Sequence, residues 1–186
     1  VKTPGYEEAI GRRLYSAPEI AEAIECLAAK IAADHAGQPL LLVGVLKGAL
    51  CFTADLSRAL AATANGPSEI MVDYICIERY GAVKAIGGDV KLRMDANLAV
   101  VGASVVVVED IADHGLTLDF LQTLFEERRP ASLRTCILFD KPARREVNIS
   151  IDYAGLPVPD TFVIGYGLDH KELYRNLPYL AELREN

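Results

Sequence analysis

Val105-Val106-Val107-Val108-Glu109-Asp110-Ile111-Ala112-Asp113-His114-Gly115-Leu116-Thr117 is the stretch that decides the architecture. From Ser104 to Val108 the residues are apolar and β-branched without alternation, as in a strand buried on both faces. Two adjacent carboxylates, Glu109 and Asp110, end the run. A short loop with a third carboxylate, Asp113, and a glycine then enters a segment from Thr117 to Arg128. There Leu118, Leu121 and Phe125 recur at helical spacing. Buried strand, short polar loop and helix together form one arm of a strand–helix–strand crossover.

The flanking sequence repeats that arm. Leu40 to Val45 is another continuous apolar run, interrupted at Leu46-Lys47-Gly48 and followed by a helical segment from Ala49 to Ala62. Further strands are expected at Ile70–Ile77, Leu133–Phe139, Asn148–Tyr153 and Thr161–Tyr166. Ser16-Ala17-Pro18-Glu19 carries a capping pattern, and Ile20, Ile24, Leu27 and Ile31 continue a helix to about Asp34. His35 follows that helix, where positive charge is favoured. Residues Glu78 to Asp95 read as a long polar loop, the first fifteen residues as an irregular arm, and the part after Leu168 as short and irregular. Apolar strands alternating with helices predict a mainly parallel sheet with helices on both faces. Ligands of such sheets sit at the carboxyl ends of the strands, so chemistry is sought in the residues that follow each strand.

Composition narrows the partners. The 186 residues suit one domain, with 51% apolar and 24% charged residues. A net charge of −7 argues against a nucleic-acid partner, which needs a basic face. Leu98 to Val108, broken by Gly102 and Ser104, is too short to span a membrane, so no membrane partner is expected. No basic segment followed by an apolar one opens the sequence, and Cys26, Cys51, Cys76 and Cys136 contain no CxxC pair. A cytoplasmic protein with reduced thiols is the expectation.

Carboxylates at a strand end can hold sugar hydroxyls, directly or through Mg²⁺. The backbone N–H groups of Gly115, Leu116 and Thr117 open a helix whose dipole favours an anion, so a phosphate fits there. This segment resembles the phosphoribosyl-diphosphate signature of the purine phosphoribosyltransferases, most closely the hypoxanthine-guanine branch, through Glu109, Asp110, Ile111, Ala112, Asp113, Gly115 and Thr117. His114 stands where that family places a small hydroxyl residue. Val43 to Ala49, with Ala54 to Arg58, is similar to the family's diphosphate loop and next helix. Phe162 to Asp169 is similar to its purine-binding strand, so the likeness runs from about Ser16 to Leu177.

The resemblance implies a fold and a set of roles. The fold is a type I phosphoribosyltransferase α/β core, a mainly parallel sheet flanked by helices, over about residues 16–147. A small hood comes from residues 1–15 and about 148–186. Asp113 would be the catalytic acid–base group, and Glu109 and Asp110 would hold ribose hydroxyls and, with Asp169, Mg²⁺. Lys47, after a cis Leu46–Lys47 peptide, and Gly48 would meet the diphosphate, assisted by Arg175. His114, Gly115, Leu116 and Thr117 would take the 5′-phosphate. Lys141 would donate to the purine 6-oxo group; its ammonium has donors only, so an exocyclic amine would be refused. Phe162 would stack on the base, Val163 would meet it through its main chain, and Asp169 would lie at its C2 side. Tyr80 matches the tyrosine of a mobile closing loop, although Arg79 replaces the serine before it.

The implied partners are 5-phosphoribosyl 1-diphosphate, a 6-oxopurine and the nucleotide product, handled by a homodimer or homotetramer. Two alternatives remain at this stage. One is a regulatory protein that keeps the fold and binds nucleotide with little turnover. The other is a transferase for another base, such as xanthine.

Overall fold

The computed structural model describes residues 6–79 and 90–184. Tyr80, and most of the segment read as a closing loop, lie outside the described residues. The elements in chain order are β1 (Ile10–Tyr15), α1 (Ala17–Asp34), β2 (Pro39–Leu46), α2 (Leu50–Ala62), β3 (Glu69–Arg79), β4 (Val90–Met94), β5 (Ser104–Ala112), α3 (Leu116–Glu126), β6 (Ser132–Asp140), β7 (Tyr153–Pro157), β8 (Val163–Ile164) and β9 (Leu180–Leu183). A single 3-10 turn, Pro142–Arg144, follows β6.

Six strands form the main sheet in the order β4-β3-β2-β5-β6-β7. All neighbours are parallel except β4, which pairs antiparallel with β3. The strands alternate their side chains between two apolar layers, as the strand period requires. Leu40, Leu42, Val106 and Val108 face α1 and α2, among Ile24, Leu27, Phe52 and Leu56. Leu41, Val43, Val105 and Val107 face α3, with Leu121 and Phe125. Val43 pairs with Val107 across the sheet, and both are fully buried. Truncating such a side chain to alanine typically costs ~2–5 kcal/mol.

Local chemistry sets the helix starts. The Ser16 N–H donates to Glu19 Oε2 at 2.8 Å and its hydroxyl at 2.6 Å, which closes the first turn of α1 and holds the Glu19 carboxyl below its ordinary pKa. At the other end of α1, His35 is 3% exposed, and burial lowers its pKa. The positive charge expected there is therefore disfavoured.

A second, three-stranded sheet, β1-β9-β8, forms the hood. The arm before Ser16 thus contains a strand, because Ile10, Arg13 and Tyr15 pair with β9, and the chain after Leu168 ends in that partner strand. The expected boundary near Asn148 falls too early. Tyr153–Pro157 pairs with β6 and extends the main sheet as β7. The alternation of Ile149 and Ile151 is real but serves packing on Ala112, Leu118 and Ile137, without ladder pairing. The strand expected at Thr161–Tyr166 shrinks to Val163–Ile164, since Gly165, Tyr166 and Gly167 turn with positive φ.

Candidate active site

The site lies where the chain reverses direction across the sheet. β2 leads through α2 to β3 on one side, and its neighbour β5 leads through α3 to β6 on the other. The loops leaving β2 and β5 therefore diverge and open a crevice at the carboxyl ends. A cleft of about 150 Å³, lined by residues 109–118, occupies it.

β5 runs beyond Val108 to Ala112, because Glu109, Ile111 and Ala112 keep register with Ile137, Phe139 and Asp140 of β6. Glu109 is buried. Asp110 accepts the Ile111 N–H at 2.7 Å through Oδ1. Its Oδ2 lies so close to Gly48 that a Cβ there would come within 1.6 Å. Burial pushes the Asp110 carboxyl up to about 6, while the Ile111 N–H and the Arg175 charge pull the other way. On its far side, the Gly48 carbonyl oxygen would meet a Cβ on Gly167 at 2.0 Å, where φ is 100°. The loop after β2 is thus clamped between the end of β5 and the hood. Its Leu46–Lys47 peptide is cis.

The hood brings a charged chain to this clamp. Lys47 Nζ donates to Glu172 Oε2 at 3.1 Å, which holds the Glu172 carboxyl below its ordinary pKa. Arg175 donates to the Gly167 carbonyl at 2.8 Å, pairs with Asp169 at 2.7 Å, and reaches Glu172 at 3.4 Å. Asp169 Oδ2 accepts the Glu172 N–H at 2.8 Å. Lys47, Asp169 and Arg175 are therefore gathered around Glu172, a shared partner that the sequence did not reveal.

Across the cleft, α3 begins after Gly115, whose φ of 88° makes the turn and which offers no side-chain cap. Among the described residues no capping side chain claims its first-turn N–H groups, including those of Leu116 and Thr117. Asp113 lies in the approach loop. Its Oδ2 is 3.7 Å from Arg144 Nη1, and its buried Oδ1 is 3.9 Å from His114 Nε2, without a hydrogen-bond partner among the described residues. The His114 ring turns its Nδ1 to Glu146 Oε1 at 2.9 Å. Arg144 and Glu146 come from the segment after β6, which carried no sequence signal of its own.

Lys141 follows β6 directly, tied by its N–H to the Ala112 carbonyl at 3.0 Å. Its side chain is 3% exposed, and Nζ donates to the Thr161 carbonyl at 2.6 Å. Burial lowers its pKa, against the pull of the Asp113 charge. Phe162 is next in the chain to that carbonyl. It is 48% exposed, with the His170 ring edge-on at 5.6 Å, so it is no core residue. Val163 is buried in β8.

Glu109, Asp110 and Asp169 are hard oxygen donors. By type they match Mg²⁺, which keeps several waters and is held by one or two carboxylates together with substrate phosphate oxygens; among the described residues no three such side chains are drawn together as a metal site. The absent Cβ at Gly48 is what lets the Asp110 carboxylate sit against the loop after β2.

A parallel sheet with an acidic strand end and an open helix start at its switch point defines an α/β protein with a ligand crevice at the carboxyl ends of its strands. Its family is the phosphoribosyl transferase domain, whose model matches residues 11–171. The hypoxanthine-guanine phosphoribosyltransferase of Streptococcus pneumoniae (strain ATCC BAA-255 / R6) is 40% identical over 179 residues, covering 96% of each chain. The solved hypoxanthine phosphoribosyl transferase of Trypanosoma cruzi superposes with a TM-score of 0.88 at 38% identity, over 95% of this chain and 93% of that one. A hypoxanthine-guanine phosphoribosyltransferase of Bacillus anthracis gives 0.87 at 39% identity, over 94% and 99%. The chain belongs to the hypoxanthine-guanine phosphoribosyltransferase family.

Proposed function

We propose that Asp113 holds the N7 proton of a 6-oxopurine, that Lys141 reads its 6-oxo group, and that the first turn of α3 seats the donor's 5′-phosphate. The reaction they serve is phosphoribosyl transfer from 5-phosphoribosyl 1-diphosphate to hypoxanthine or guanine. It gives the nucleoside 5′-monophosphate and pyrophosphate in purine salvage. The observation that carries the division of labour is Lys141, a buried ammonium fixed by the carbonyl of Thr161 beside the exposed ring of Phe162.

The ribose–diphosphate bond breaks as a purine ring nitrogen closes on the same carbon, so positive charge grows on the sugar. Glu109 and Asp110, at the end of β5, face that charge and accept from the ribose hydroxyls. Lys47 and Arg175 take the leaving diphosphate, for which the Glu172 carboxylate has to release them. Mg²⁺, when bound, would neutralise the leaving group. Glu109 and Asp110 would hold it, and Asp169, both of whose oxygens are engaged, would reach it through water. Phe162 offers a ring face, and stacking is worth ~1–3 kcal/mol per base. Val163 presents its main chain to the base. Tyr80 is proposed to close over the centre from outside the described residues. A cytoplasmic homodimer or homotetramer completes the proposal. Among the described residues no helix is long and apolar enough to cross a membrane.

Asp113→Asn tests this directly. Turnover should fall by about 10²-fold or more, the scale of a lost general acid–base group. Donor affinity, read by calorimetry, should change much less than turnover, because the substitution leaves in place the backbone N–H groups of α3 that seat the phosphate. Undiminished turnover would remove Asp113 from the mechanism.

A further inference from the structure

We propose that Glu146 is a positioning residue for the 5′-phosphate site: its carboxylate takes the Nδ1–H of His114 and so makes the ring bind phosphate as an imidazolium. The inference rests on the reading that α3 seats the 5′-phosphate.

His114 immediately precedes Gly115, at the open start of α3, and lines the cleft. Its Nδ1 is 2.9 Å from Glu146 Oε1. The clasp is double, since the Glu146 N–H donates to the His114 carbonyl at 3.0 Å. The segment carrying Glu146 is pressed onto the loop. A Cβ on Gly115 would meet Arg145 Cδ at 2.9 Å and Val147 Cγ2 at 3.0 Å. Four charged groups face or adjoin the ring. Glu146 lies on Nδ1, Asp113 Oδ1 is 3.9 Å from Nε2, Arg144 is held against Asp113, and Arg145 is turned to Asp140.

The consequence follows from the donor inventory of imidazole. A carboxylate only accepts, so Glu146 fixes a proton on Nδ1. In the neutral ring Nε2 is then an acceptor, which repels a phosphate oxygen. Nε2 donates only when it too carries a proton. A phosphate oxygen facing Nε2 therefore selects the ring that carries both protons. The small hydroxyl of the family pattern would donate at every pH.

The test is calorimetry of inosine 5′-monophosphate binding in buffers of different ionisation enthalpy, at about pH 6 to 8, the range in which histidine titrates. This counts protons taken up. His114→Thr supplies the baseline, which contains the phosphate's own titration. Above that baseline the wild type should take up a further fraction of a proton, and its affinity should weaken by up to about tenfold per pH unit. Glu146→Gln should lose most of the excess, because the Gln amide can donate to Nδ1 and leave a permanent proton on Nε2. Glu146→Asp should retain part of it. A purely structural role for Glu146 would change affinity in both variants without changing the proton count. Equal uptake in wild type, Glu146→Gln and His114→Thr overturns the proposal. Inosine without its phosphate, binding as tightly as the nucleotide, would instead overturn the placement of the phosphate itself.

Discussion

Replacing Lys141 by methionine separates recognition from stability. The side chain is 3% exposed, and its ammonium is held by the Thr161 carbonyl at 2.6 Å beside Phe162. Burial already works against the charge, lowering its pKa, with Asp113 opposing. Methionine is one heavy atom shorter, fills most of the same space and removes the charge, so the desolvation cost disappears along with one hydrogen bond. Thermal stability should therefore stay level or rise slightly, since shape-conserving swaps usually cost less than ~1.5 kcal/mol. Base recognition should suffer. A hydrogen bond from a charged donor contributes ~1.5–3 kcal/mol, so kcat/KM for hypoxanthine should fall about 10- to 150-fold. Adenine has no oxygen at that position and gains from removal of the ammonium, so the preference for hypoxanthine over adenine should narrow by at least that factor. Steady-state kinetics on both bases, with donor affinity by calorimetry and a melting curve alongside, decide it. An unchanged preference, or equal losses in base and donor affinity, would refute the assignment of Lys141 to the 6-oxo group.

Gly48→Ala forces a methyl to within 1.6 Å of Asp110 Oδ2. Overpacking of this kind costs ~1–3 kcal/mol, or about 2–4 °C of Tm per kcal/mol at this length, and turnover should drop at least about tenfold with the displaced carboxylate. Gly167→Ala adds an unfavourable φ of 100° and a clash with the Gly48 carbonyl, so it should be the more destabilising in a melting experiment. His35 supplies a pH dependence of stability. Burial depresses its folded pKa, so the unfolded chain takes up the proton first, at about pH 6.5. The stability of the neutral ring is present above that pH and is lost as pH falls through the folded value. The Tm advantage of wild type over His35→Leu should therefore shrink from about pH 7.5 to 5, and an advantage independent of pH would mean the ring does not titrate on unfolding.

The parallel core was legible because its strands, buried on two faces, are written as unbroken apolar runs such as Leu40 to Val45 and Val105 to Val108. Strand ends were not, since Glu109 and Asp110 read as a break while the backbone keeps its ladder with β6 to Ala112. The hood was invisible as a sheet: β1 and β9 lie at opposite ends of the chain, and no local pattern announces a pairing such as Ile10 with Leu183. The site divides in the same way. The candidate residues that follow strands, Lys47, Asp113, Lys141 and Asp169, could be proposed by looking after each strand. Glu172, Arg144 and Glu146 could not, because each acts through a partner brought by another segment. The positive φ of Tyr166, Lys171, Glu172 and Tyr174 shows how tightly the hood turns to bring its charges over the cleft.

Nucleotide formation from 5-phosphoribosyl 1-diphosphate and Mg²⁺, with hypoxanthine, guanine, xanthine, adenine and uracil supplied in turn, tests the central claim most directly. The structure predicts nucleoside 5′-monophosphate from hypoxanthine or guanine, pyrophosphate in equal amount, and no product from adenine or uracil. Product from adenine or uracil alone, or tight nucleotide binding with no product from any base, would contradict it.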